Sequence, residues 1–156
     1  MKKILQIDGG GIRGIIPAVI CAAVEEETGR KICEMFDLIT GTSTGSIIGG
    51  ALAAGVEAEK IKQMYVSDGT KLFKKRIPFP WNLLRVKYAR KPFLKMLEAI
   101  IGDVKMSQLN TRYMATAFNL CSRRTHFIKS WDENDAQFTL SDVISWSALS
   151  AAYYFG

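Results

Sequence analysis

A serine flanked by glycines follows an apolar stretch and precedes a helical pattern. Residues 36–50 read FDLITGTSTGSIIGG, so Ser43 stands in the pattern Gly-x-Ser-x-Gly with Gly41 and Gly45. Such a turn from strand to helix holds the serine exposed in a strained conformation, and its glycines leave room for neighbouring backbone. The pattern therefore predicts that Ser43 is a nucleophile for acyl transfer, with Gly41 and Gly45 shaping its turn.

A second glycine-rich loop, DGGGIRG at residues 8–14, also lies between a predicted strand and a predicted helix. Its Gly-x-Gly-x-x-Gly spacing is compatible with dinucleotide binding, but that use calls for an acidic residue about 20 positions on, at the end of a second strand. Here Glu25 to Glu27 fall within the predicted helix. We favour the other use, in which backbone N–H groups stabilise a developing oxyanion. The candidate residues are Gly9, Gly10, Gly11, Ile12, Arg13 and Gly14.

Two further side chains allow more than one interpretation. His126 is the only histidine and is the candidate base for a Ser-His-Asp triad. It falls inside a predicted strand, away from the loops that usually carry catalytic bases, so a structural or surface role is favoured. Arg13 either contacts a lipid phosphate or braces the glycine loop through a carboxylate, and bracing is slightly favoured.

Strand and helix patterns alternate along the chain. Strands are predicted at residues 3–8, at a segment ending near Thr40, and at 113–119 and 125–131. Helices are predicted at residues 17–28, 44–54, 61–72, 91–101 and 140–155. Ser141 and Asp142 are placed to satisfy the first amides of the last helix. The alternation predicts an α/β fold whose mostly parallel sheet is covered by helices on both faces.

Composition indicates one ordinary globular domain, since 48% of the 156 residues are hydrophobic and 23% are charged. No repeat or linker divides residues 1–156. The first apolar run meets Asp8 too early to form a signal peptide, and no run approaches the roughly 18 residues of a spanning helix. Three cysteines without metal-type spacing predict reduced thiols in a cytoplasmic setting, with no metal and no organic cofactor.

The positive charge is concentrated in residues 69–97, which contain nine Lys or Arg and no Asp or Glu. The rest of the chain holds 12 basic and 15 acidic residues, so the net charge of +6 comes from this segment. Aromatic and aliphatic residues are interleaved with the cations, a composition that suits peripheral contact with an anionic membrane. A solvated basic rim over apolar packing is nearly as good an interpretation. Nucleic-acid binding is not favoured, because no recognition motif accompanies the charges.

The two glycine motifs together, DGGGIRGIIP at residues 8–17 and GTSTG at 41–45, resemble the patatin-like phospholipase family. Residues 147–155 also look like the small-residue helix of that family, so the resemblance covers essentially the whole chain. It implies a single patatin-like domain with a three-layer α/β/α fold and hydrolysis of lipid acyl esters by a serine–aspartate dyad. Ser43 matches the family nucleophile, and residues 9–14 match its oxyanion-binding turn.

The chain departs from the family pattern in one respect. The family aspartate lies in an Asp-Gly-Gly or Asp-Gly-Ala sequence after the helix that corresponds to residues 140–155. No such sequence occurs at that place here, and Asp8-Gly9-Gly10 belongs to the glycine loop. The chain also stops within core-like sequence, so we expect it to be the amino-terminal portion of a longer hydrolase, inactive by itself. The alternative is a catalytically inactive lipid- or partner-binding module with the same fold.

Overall fold

A computed structural model describes residues 1–72 and 97–154, without the side chains of 68–72 and 152–154. Its sheet contains four strands in the spatial order β1-β2-β3-β4. The strands are β1 (Ile4–Ile7), β2 (Leu38–Thr42), β3 (Arg112–Asn119) and β4 (Arg124–Lys129). β1, β2 and β3 are mutually parallel, and β4 pairs antiparallel with β3. The predicted α/β class with a mostly parallel sheet is thus confirmed.

Helices connect the strands at nearly the predicted places. They are α1 (Ile15–Thr28), α2 (Ile32–Met35), α3 (Thr44–Ala53), α4 (Ala58–Leu72) and α5 (Leu140–Tyr154), with 3₁₀ turns at Gly11–Gly14 and Met106–Gln108. Gly29 ends α1 with a φ of 63°, the left-handed conformation that glycine adopts most easily. The helix predicted at 91–101 can be compared only over 97–101, which are helical.

Alternate residues of a strand point to opposite sides of the sheet, and the core lies on one of these two faces. Ile39, Tyr113 and Ala115 are buried on this face. α3 approaches closely there, since a Cβ atom at Gly49 would lie 3.1 Å from Ile39 Cγ2. The hydroxyl of Tyr113 donates to the Ser46 carbonyl at 2.8 Å, and burial raises the pKa of this phenol. α3 is therefore fixed to the sheet just after the turn that carries Ser43.

The start of α5 corrects the capping prediction. Thr139 caps the helix, with its hydroxyl 3.2 Å from the Asp142 N–H and 3.1 Å from the Asp142 carboxylate. Such a reciprocal pair satisfies an amide that the helix itself leaves free. The hydroxyl of Ser141 is instead buried with no partner among the described residues. The helix begins at Leu140, as predicted. Of the two residues predicted to satisfy its first amides, Asp142 takes part in the cap and Ser141 does not.

One carboxylate joins three helices. Glu25, near the end of α1, accepts a hydrogen bond from Ile32 N–H at 2.9 Å and another from Ala58 N–H at 2.7 Å. These are the first residues of α2 and α4, whose opening amides have no partner within their own helices. Glu25 therefore fixes the relative positions of α1, α2 and α4.

Candidate active site

Ser43 lies between the last residue of β2 and the first residue of α3. Its φ of 54° is positive and its ψ is −119°, a combination that non-glycine residues rarely adopt. The Ser43 carbonyl accepts hydrogen bonds from Ser46 N–H at 2.9 Å and Ile47 N–H at 3.3 Å, while the Ser43 N–H donates to Ser147 Oγ at 3.0 Å. Both its N–H and its C=O are therefore held, and the residue itself is only half-buried.

Gly41 and Gly45 allow the turn to pack directly on neighbouring backbone. A Cβ atom at Gly45 would overlap the carbonyl group of Ile7 at the end of β1, and a Cβ atom at Gly41 would overlap the carbonyl group of Gly45. Any side chain at these positions would push backbone groups apart. The two glycines thus bring the turn that carries Ser43 against the end of β1, where the glycine loop begins.

The glycine loop runs alongside Ser43. A Cβ atom at Gly9 would lie 3.2 Å from Ser43 Cβ and 3.2 Å from the Thr42 carbonyl oxygen. Gly11 opens the 3₁₀ turn with a φ of 58°, a left-handed conformation that explains glycine at this position. The two motifs, whose nearest ends Gly14 and Gly41 are 27 positions apart, therefore meet at one place.

Backbone donors in the loop remain available. Among the described residues, Arg13 N–H bonds to the Gly10 carbonyl at 3.2 Å, but no backbone hydrogen bond uses the N–H of Gly11 or Ile12. The first amides of any helical turn lack partners inside that turn. Gly10 and Gly11 are half-buried, whereas Gly9, Ile12 and Arg13 are exposed. The loop can therefore present main-chain donors to a negatively charged oxygen.

A buried chain of hydroxyl groups links the loop to the residue after Ser43. The Thr44 hydroxyl donates to the Gly11 carbonyl at 3.0 Å. Because that proton is used, the Tyr65 hydroxyl, which lies 2.6 Å away, is the donor to Thr44. Burial raises the pKa of Tyr65 to about 12, above the usual value of a phenol. Gly14 lies against the same group, since a Cβ there would be 2.9 Å from Thr44 Oγ1.

The structure also locates the two ambiguous side chains. His126 is exposed on β4, and its Nε2 lies 3.8 Å from the buried carboxylate of Asp135. Within the described part of the chain the ion-pair partner of His126 is Asp135, and the histidine side chain is 55% exposed, which agrees with the surface interpretation. Arg13 forms no ion pair within residues 1–72 and 97–154, so bracing by a carboxylate finds no support there.

Three residues at this site were not singled out from the sequence. Thr44 lies inside the serine motif, but its hydrogen bond to Gly11 depends on the fold. Tyr65 and Ser147 are 21 and 104 residues away from the groups that they contact. The sequence marked Ser147 through the small-residue pattern around it, but that pattern predicted a packed helix and not a contact with Ser43. No cluster of three or more metal-ligating side chains occurs among the residues that the structure describes.

The predicted membrane segment, residues 69–97, falls almost wholly outside the described residues, since 73–96 are not described. Its role is a prediction from composition alone.

Comparison with known proteins gives consistent matches. The model of the family described as patatin-like phospholipase matches residues 5–156. Patatin-like protein 2 from Arabidopsis thaliana is 32% identical over 98% of the chain and 43% of its own length. A cGAMP-activated phospholipase from Pseudomonas aeruginosa is 29% identical over 97% of the chain and 47% of its own length.

The fold is similar to that of a solved structure. VipD from Legionella pneumophila matches with a TM-score of 0.61 and 14% identity, over 94% of the chain and 42% of VipD. At this identity the likeness concerns the fold alone. The chain spans less than half the length of each of these three proteins.

Proposed function

The chain belongs to the patatin-like phospholipase family, and from this premise we propose that the complete protein is a lipid acyl hydrolase of the phospholipase A type. It cleaves carboxylic esters through Ser43. The observation that carries the proposal is the close approach of Gly9 to Ser43, where an added Cβ atom would lie 3.2 Å from Ser43 Cβ, because it brings a strained serine beside a loop with unpaired main-chain donors. A nucleophile and an oxyanion site within reach of one carbonyl group are the minimum that acyl transfer requires.

The reaction proceeds through an acyl-serine intermediate. Ser43 Oγ attacks the ester carbonyl carbon while its proton passes to an aspartate. This aspartate belongs to the part of the complete protein outside residues 1–156. The carbonyl oxygen becomes negatively charged and is stabilised by N–H groups of residues 9–14. The alcohol leaves with a proton, and water then hydrolyses the acyl-serine. Each oxyanion donor is worth about 3–4 kcal/mol in comparable enzymes, so the loop matters almost as much as the nucleophile.

The surface beside the loop favours a lipid substrate. Ile12, Ile16 and Ile20 lie on the outer side of the 3₁₀ turn and α1, and Ile16 and Ile20 are each 58% exposed. Their spacing of four residues aligns them along one side of a helix. Arg13, also exposed, lies at the loop end of this apolar row, where it can contact an anionic head group. An acyl chain therefore meets apolar side chains on its way to Ser43.

Contact with an anionic membrane through residues 69–97 forms part of the proposal and rests on their nine basic residues. None of the helices within 1–72 and 97–154 combines the length and apolar character needed to cross a bilayer. Each cation near an anionic surface contributes about 1 kcal/mol. Co-sedimentation with phosphatidylserine vesicles tests this contact, and we expect binding that weakens as salt is raised. Binding that depends neither on the charge of the lipid nor on the salt concentration would contradict this membrane contact.

The hydrolase proposal is tested with the full-length protein. We expect mixed phospholipid vesicles to release free fatty acid and lysophospholipid, detected by mass spectrometry. Residues 1–156 expressed alone should release neither, because the proton acceptor is missing. Binding of vesicles by the full-length protein without any product would instead favour the non-catalytic lipid-binding module.

A further inference from the structure

We propose that Ser147 is a positioning residue that holds Ser43 in its attacking conformation. Ser147 lies on α5, and its side chain is completely buried. Its Oγ accepts the hydrogen bond from the Ser43 N–H at 3.0 Å, across 104 residues of sequence. This inference rests on the proposed function, because it takes Ser43 to be the nucleophile.

The conformation of Ser43 explains why this bond matters. A φ of 54° at a residue with a side chain is held only when its surroundings enforce it. α3 supplies one half of that constraint, through the bonds from Ser46 and Ile47 to the Ser43 carbonyl. Ser147 supplies the other half by holding the N–H. Together the two sets of bonds define both backbone dihedral angles and therefore the direction in which Ser43 Oγ points.

The same helix contains a matched comparison. Ser145 is also completely buried on α5, but its hydroxyl has no hydrogen-bond partner among the described residues. Replacing either serine by alanine removes one buried hydroxyl from one helix. Only the change at Ser147 also removes the acceptor of the Ser43 N–H. A difference between the two variants therefore isolates that hydrogen bond from the general effect of altering α5.

The experiment uses the full-length protein and two measurements of Ser43 itself. The first is the second-order rate of labelling by a fluorophosphonate probe, and the second is kcat and KM for a soluble short-chain p-nitrophenyl ester. We expect Ser147→Ala to lower the labelling rate and kcat by about 10- to 100-fold, with KM nearly unchanged, because small displacements of a reacting group have effects of this size. Ser145→Ala should match the natural protein in both.

Two conservative variants keep the test decisive if Ser147→Ala folds poorly. Ser147→Thr retains the hydroxyl acceptor and should recover most of the labelling rate. Ser147→Cys has a similar size but a weaker acceptor, so its labelling rate should fall between those of Ser147→Ala and the natural protein. Labelling rates are expressed per folded molecule, with the folded fraction taken from thermal unfolding.

Two results would overturn the role of Ser147. One is a folded Ser147→Ala protein labelled at the natural rate, even with a lower unfolding temperature, since this would make the residue merely structural. The other is an equal loss of labelling in Ser145→Ala. A natural protein that neither reacts with the probe nor hydrolyses any ester would overturn the proposed function itself, and the role of Ser147 with it.

Discussion

The serine turn and the glycine loop meet at one site, but they are built in opposite ways. In the serine turn, Gly41, Thr44 and Gly45 are buried, and the glycines leave no room for a Cβ atom. In the loop, Gly9, Ile12 and Arg13 are exposed, and N–H groups stay unpaired. The turn is thus fixed by packing, whereas the loop keeps its donors open. Substitutions in the turn should damage the fold, and substitutions in the loop should damage the chemistry.

Ser43 differs from the other residues of the turn, because we do not expect its hydroxyl to contribute to the stability of the fold. We expect Ser43→Ala to lower ester hydrolysis by at least about a thousandfold, since no other nucleophile is in place. The free energy of unfolding should change by less than about 0.5 kcal/mol. Steady-state hydrolysis and urea unfolding of the full-length protein measure the two effects. Hydrolysis that survives the substitution would remove Ser43 from the mechanism.

Gly45→Ala tests the packing of the turn. The added methyl group would overlap the Ile7 carbonyl, and neither backbone segment can move freely. We expect a loss of at least about 3 kcal/mol of stability, at the upper end for overpacking. Gly49→Ala is the control, because its methyl group would lie 3.1 Å from a side-chain atom, Ile39 Cγ2, and would not overlap backbone. Equal unfolding midpoints for the two variants would contradict this account of the turn.

Gly9→Val tests the open loop. A side chain here would begin 3.2 Å from Ser43 Cβ, so we expect about a hundredfold loss of kcat/KM while the fold persists. Gly10→Val should lose much less, because a Cβ at Gly10 would be in ordinary contact with Arg13 Cβ at 3.6 Å. The kcat/KM of a soluble ester, with circular dichroism as a check on folding, measures the difference. Larger damage from Gly10→Val would contradict the crowding of Ser43 by position 9 as the cause of the loss.

Thr44→Val tests the link between the two regions and should have the smallest effect. It removes the bond to the Gly11 carbonyl and also the buried oxygen that accepts from the Tyr65 hydroxyl. We expect a stability loss of about 1–2 kcal/mol, with a fall of several-fold in kcat. Tyr65→Phe removes the bond to Thr44 but keeps the one from Thr44 to Gly11, so kcat should stay closer to its natural value. An equal fall in kcat for both variants would show that the Gly11 bond is not the relevant one.

Local patterns predicted most of the fold. The change from an apolar strand to Gly-x-Ser-x-Gly to a helix uses neighbouring residues only, and β2 and α3 follow it as expected. The meeting of the two glycine motifs could also be anticipated, because parallel strands place their following turns at one edge of the sheet. The roles of Ser43 and of residues 9–14 in catalysis stay predictions.

Contacts between distant residues could not be found in this way. Ser147 looks like one more small residue of a helix, and nothing local connects it with Ser43. Glu25 resembles its exposed neighbours Glu26 and Glu27, although it alone bonds to the amides of Ile32 and Ala58. At the start of α5 the capping hydroxyl belongs to Thr139, two residues before the predicted Ser141, and both are suitable residue types. In each case the geometry of the whole fold decides among similar side chains.

The hydrogen bond between Ser43 and Ser147 also has a consequence for protein synthesis. Translation adds about 5–20 residues per second, so Ser147 is joined to the chain roughly 5–20 seconds after Ser43, which precedes it by 104 positions. Until then the growing chain has no α5 to hold that amide. A ribosome-bound intermediate shorter than this therefore carries Ser43 without the hydrogen bond from its N–H to the Ser147 hydroxyl.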